Sequence, residues 1–246
     1  MLAMLAGGFL AEMIGWKAPF LLGAFAAAVA LMISFFLVEK SEGNPHKVNF
    51  RGILAVLGDH TLLIVSLLAV LSQMTISATV FGFTPLYASS LGASKIEMSL
   101  LTVFSSLSTA VASIYAGGYL SDKFGEKKVI VVGFILTAIF TLTIAFTSSL
   151  LVLIFTQTIS GIGKGLSFTL LMGLSIKHMP SEKRGVAMGF FQSIYGLGMF
   201  LGPLLMGVIG DIASLKHGFL FIGVIACLTA VLAQVIIKTR IDSVIK

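Results

Sequence analysis

Charge is scarce in this chain. Charged residues fill only 11% of its 246 positions, and none falls between Met98 and Gly118 or between Val129 and Thr147. A water-soluble domain of this length covers its core with far more polar surface, so that class is excluded. Cysteine is nearly absent. Cys227 lies in an apolar run, can close no internal disulfide, and reads as a small packing residue. The four histidines, His46, His60, His178 and His217, are scattered, with no paired carboxylates, phosphate-cradling glycine loop or metal-spaced cluster beside them. Neither an enzyme, a metal site nor a cofactor is therefore expected. No basic residues precede the first apolar stretch, so a cleaved signal peptide is not expected either.

Apolar sequence is what the chain has in abundance: 57% of residues are hydrophobic and the mean hydropathy is +1.08. The apolar runs lie at about 1–14, 18–38, 61–88, 97–120, 128–148, 150–176, 185–210 and 217–238. Every run but the first is long enough to cross roughly 30 Å of hydrocarbon as a helix. The expected fold is an all-α membrane protein with about seven full transmembrane helices and a partial first one. A net charge of +6 would suggest nucleic acid in a soluble protein, but here the basic residues sit in the gaps between runs, so no nucleic-acid partner is expected.

Those gaps orient the chain. Alternating sides across the runs groups Lys40, Lys47, Arg51, Lys123, Lys127, Lys128, Lys177, Lys183, Arg184, Lys238, Arg240 and Lys246 on one face. Only Lys17, Lys95 and Lys216 fall on the other, and Lys164 alone lies inside a run. Basic loops mark the cytoplasm, so the C-terminus is expected there, in a bacterial or archaeal plasma membrane.

The most polar gap, 39–60, contains Ser-Glu-Gly-Asn-Pro-His-Lys and reads as a cytoplasmic linker between two units. Residues 50–57 fit a short helix lying on the membrane surface. An offset of 199 positions aligns Gly8 with Gly207, Glu12 with Asp211, Lys17 with Lys216, Phe20 with Phe219 and Leu21 with Leu220. The two helices before the linker therefore repeat the last two after it, as expected of a parent built from two parallel halves. On this alignment Met1 falls opposite Phe200, within a helix. The expectation is that 1–38 is the end of an N-terminal half lacking about four and a half helices. Residues 61–238 are then a six-helix C-terminal half, 239–246 a cytoplasmic tail, and the absent half a partner alongside the lipid bilayer.

Lys164 is the most informative single residue. It stands midway along the 150–176 run, where a lysine costs several kcal/mol unless it meets water, an anion or a carboxylate. Gln157, Ser160, Lys164 and Ser167 step by three, four and three and so share one helical face, expected to line a hydrated cavity. Glu12, Glu97 and Asp211 all fall near run ends, leaving no deep carboxylate to neutralise it. Gln73, Ser77, Gln192 and Tyr195 are the further cavity candidates, with Phe81, Phe83 and Phe191 as apolar walls. The stripe Ser99, Thr102, Ser106, Thr109 and Ser113 reads more readily as glue between helices than as ligand contacts.

Gly118-Tyr-Leu-Ser-Asp-Lys-Phe-Gly-Glu-Lys-Lys128 places five charges in seven residues between two uncharged runs, and reads as a turn held outside the lipid. It closely resembles the loop signature of the major facilitator superfamily of secondary transporters: Gly118, Asp122, Lys123, Gly125, Lys127 and Lys128 match, while Glu126 stands where that family usually has a basic residue. Pro180 to Asp211, with Gly185, Gly189, Gly196, Gly198, Gly202, Gly207 and Pro203, resembles the family's eleventh helix. The resemblance implies a helical bundle that moves a small solute by alternating access, without a cofactor beyond a coupled proton or ion. It also implies that Asp122 pairs with basic neighbours and with the helix start near Arg184 and Gly185 when the inner gate closes. Lys164 favours an organic anion as the solute. Multidrug-type efflux of amphipathic compounds is the alternative, and a non-transporting membrane remnant is a third.

Overall fold

The computed structural model describes residues 2–37 and 56–240, and among these the chain forms helices and no strands. Most of the expected linker and surface helix, nearly all of the tail, and Lys40, Lys47, Arg51 and Lys246 lie outside the described residues. In chain order the helices are α1 (Leu2–Met13), α2 (Ala18–Leu37), α3 (His60–Ser90), α4 (Lys95–Phe124), α5 (Glu126–Ile144), α6 (Leu150–Lys177), α7 (Ser181–Ile212) and α8 (Leu215–Arg240). All but α1 are long and apolar enough to cross a membrane.

Helix ends follow local chemistry. Asp59 caps α3 by accepting the Leu62 N–H at 2.8 Å. Ser94 caps α4 in a reciprocal box with Glu97, and Glu12 of α1 accepts the Ile96 N–H at 3.2 Å. With the 199-residue offset, the end of α1 at Met13 corresponds to Ile212, which ends α7.

The charged stretch 118–128 departs from the expected turn. The α4 helix continues through a π-helical segment, Ala116–Leu120, and a last α-turn, Ser121–Phe124, so that the break before α5 is Gly125 alone. Gly125 makes so tight a reversal because its φ of 82° is readily open only to a residue without Cβ. A second π-helical segment, Ser77–Phe83, interrupts α3. The α7 helix runs through Pro203 without interruption.

In the bundle, α6 lies between α3, α4 and α5, while α7 packs on α3 and α8 packs on α5. Small residues allow the closest approaches: a Cβ on Gly163 would sit 2.6 Å from Thr137 Oγ1 and 2.8 Å from its amide nitrogen, and one on Gly133 would sit 2.6 Å from the Gly163 carbonyl oxygen. Gly198 and Gly202 likewise sit directly on the α3 backbone at Val70 and Met74. Gly185, Gly189 and Gly196 meet nothing within 4 Å and leave a face of α7 open among the described residues.

Two apolar cores occupy opposite ends of the bundle. One gathers Leu68, Ile130, Leu171, Ala187, Phe191 and Ile237 at the lysine-rich end. The other gathers Tyr87, Leu101, Ile144, Leu153, Met206 and Phe219, with the Tyr87 hydroxyl donating to the Thr147 carbonyl at 2.6 Å. Between them lies a buried layer of polar side chains: Thr79, Ser105, Thr137, Thr141, Gln157, Ser160, Lys164 and Ser167.

Candidate functional site

This polar layer exists because α6 turns one polar face inward. Gln157, Ser160, Lys164 and Ser167 are all buried, as their spacing requires, and Lys164 is only 3% exposed. Its Nζ donates to Thr79 Oγ1 at 3.3 Å, and Thr79 Oγ1 donates in turn to the Thr75 carbonyl at 2.7 Å. Thr79 belongs to the π-helical segment of α3, an irregularity of the kind that recurs at functional sites. An ammonium carries three donors. One hydroxyl is its only hydrogen-bond partner among the described residues, where the single ion pair is Lys177 with Glu126 at 3.1 Å.

A cavity of about 320 Å³ opens beside Lys164, walled by α3, α4 and α6. Of the expected site residues, Gln73 and Lys164 line it, as does Phe81. Gln157 and Ser77 are buried off the cavity, and neither the Gln157 amide nor the Ser77 hydroxyl has a hydrogen-bond partner among the described residues. Tyr195 does not line it. Its ring packs edge-on against Phe168, a wall residue, and against Phe191, each at 5.4 Å. Gln192 is exposed on α7, away from the cavity. Phe191 is core rather than wall, and Phe83 packs beside the second apolar core.

The hydroxyls of α4 do two jobs. Thr109 Oγ1 donates to the Gly161 carbonyl at 3.0 Å and Ser108 Oγ to the Thr158 carbonyl at 2.7 Å, binding α4 to α6. Ser106, Thr109 and Ser113 also line the cavity, joined by Ser105 and by Thr169, which donates to Ser113 at 2.8 Å. Thr79 and Thr169 were missed by sequence reasoning, since a threonine in an apolar run carries no sign of which neighbour it meets.

At the lysine-rich end, Gly118, Asp122, Lys123, Gly125, Lys127, Lys128 and Arg184 do not form a closed network. Asp122 is exposed and takes no part in the ion pair found there. Arg184 Nε donates to the Met179 carbonyl at 3.1 Å. Lys123 lies over the Tyr119 and Phe124 rings, 5.4 Å from each centroid. The acid that does pair is Glu126, the residue that departs from the family pattern. Among the described residues no three of His, Cys, Asp and Glu are grouped so as to hold a metal ion.

An inward polar face beneath membrane-length helices, with a cavity beside it, is the architecture of a polytopic membrane protein. The family model for the Major Facilitator Superfamily matches residues 65–243, and the chain belongs to that family. It is 25% identical over 239 residues to an uncharacterised MFS-type transporter of Methanocaldococcus jannaschii, covering 94% of this chain and 61% of that protein. It is 30% identical over 155 residues to the quinolone resistance protein NorA of Staphylococcus aureus, covering 62% of this chain and 39% of NorA. The chain thus spans about three-fifths or less of the length of these relatives.

Proposed function

We propose that the chain is one working half, with part of a second, of a secondary active permease that moves a small organic anion by alternating access. The supporting observation is Lys164, an ammonium at mid-depth with one hydroxyl partner beside a cavity edged by hydroxyls and the Gln73 amide. A carboxylate or phosphate arriving there would supply the missing counter-charge. The open α7 face at Gly185, Gly189 and Gln192 supports a companion bundle closing over it, equivalent to the N-terminal half expected from the sequence. With its lysine-rich end in the cytoplasm, Asp122 and Arg184 would meet there when the inner gate shuts. Solute transport, with a proton or ion as driving partner, is the activity this assigns, rather than catalysis.

Similarity to a quinolone resistance protein favours a second reading, efflux of amphipathic compounds. Thermal-shift titration of the purified chain with benzoate, succinate, glycerol 3-phosphate and ethidium, followed by uptake of the same probes into proteoliposomes, separates the two. Stabilisation by an anion that is lost in Lys164→Met supports the anion reading. Stabilisation by ethidium alone, unaffected by Lys164→Met, supports efflux. Binding without uptake would identify a chain that transports only with its companion bundle.

A further inference from the structure

We propose that the outer flank of the bundle holds a binding site for an anionic phospholipid, its headgroup on Lys128 and one acyl chain along α4. Two apolar grooves run end to end there. The one at the lysine-rich end, about 340 Å³, is lined by Leu120, Phe124, Lys128, Val129, Val132 and Leu166. The next, about 420 Å³, shares Leu120 and Leu166 with the first and continues past Val111, Tyr115 and Ile162. From Val111 to Phe124 the helix rises roughly 20 Å. That exceeds the apolar half-thickness of one leaflet, about 15 Å, and so suits one acyl chain.

Charge selects the lipid. Lys128 lends its aliphatic stem to the first groove's lining, and its side chain is exposed in the first turn of α5, at the lysine-rich end where headgroups lie. Lys123, held over the Phe124 ring at 5.4 Å, adds a second positive charge to the same rim. Of the two acidic residues in this stretch, Glu126 is engaged by Lys177 at 3.1 Å and Asp122 is exposed. A zwitterionic lipid would fill the groove equally well but leave Lys128 without its extra attraction. The apolar lining leaves a free phosphate nothing to fill.

Native mass spectrometry of the purified chain, offered phosphatidylglycerol and phosphatidylcholine with the same acyl chains, tests the site. The native chain is expected to retain phosphatidylglycerol preferentially, and Lys128→Gln to lower that preference about fivefold, the effect of one lysine at a membrane surface. Val132→Trp, which fills the groove, is expected to lower retention of both lipids, whereas Lys177→Gln leaves both unchanged. Unaltered preference in Lys128→Gln would overturn the proposal. So would an equal loss in Lys177→Gln, or full retention in Val132→Trp.

Discussion

Lys164 holds an ammonium where hydrocarbon surrounds most of the molecule, and Thr79 is its one hydrogen-bond partner. Had the lysine been kept for stability, removing its charge would weaken the fold; as a site residue it is a burden the fold carries. Lys164→Met is therefore expected to leave the thermal midpoint in detergent unchanged or higher while abolishing anion-dependent stabilisation, and a midpoint several degrees lower would make the lysine structural. Thr79→Val should act in the opposite sense. It strands the ammonium and is expected to destabilise by about 1–3 kcal/mol, an effect that vanishes in the Lys164→Met background when both are measured as a double-mutant cycle. The lysine and its polar face were legible in the sequence because steps of three and four fix an azimuth on one helix. Which residue stands opposite was not, because Thr79 owes its place to the π-helical shift in α3, and neither Ala78 nor Val80 around it announces one.

Among the elements, α6 and α7 show glycine in two different situations. Gly161, Gly163 and Gly165 of α6 are contact points: a methyl group on Gly163 would press on Thr137 of α5, whereas one on Gly189 of α7 would meet open space. Gly163→Ala is expected to destabilise by about 1–3 kcal/mol. Gly189→Ala should be neutral or slightly stabilising, since alanine favours a helix more than glycine. Thermal midpoints of the two variants in one detergent check the contrast, and equal midpoints would refute it. Glu126→Gln breaks the exposed pair with Lys177 and is expected to cost under about 1 kcal/mol by the same measurement. Composition revealed that these segments are helices but not how glycine is used within them, because close approach is a property of two elements. The charged stretch before α5 looked like a loop for a related reason: its charges report contact with water, and a helix end satisfies that as well as a turn does.

For the molecule as a whole, two apolar cores with a polar layer between them make a bundle whose interior is least oily at mid-depth. That arrangement suits a carrier, which must offer a solute hydrogen bonds away from both surfaces. The lysine distribution makes a separate claim about orientation: residues near Lys128 should lie on the cytoplasmic side and residues near Lys216 on the opposite one. Single cysteines at these two positions in a Cys227→Ser chain, labelled in intact cells by a membrane-impermeant maleimide, are expected to react only at 216, and the reverse pattern would invert the topology.

A transport role requires that Lys164 border a water-reachable cavity, and one accessibility measurement addresses that directly. In the Cys227→Ser background, Lys164→Cys is expected to react with a membrane-impermeant methanethiosulfonate reagent in open membranes, while Leu171→Cys, from the fully buried apolar core, stays unlabelled. Labelling at 164 no faster than at 171 would mean that no aqueous path reaches the polar layer, and would contradict a transport role for this cavity.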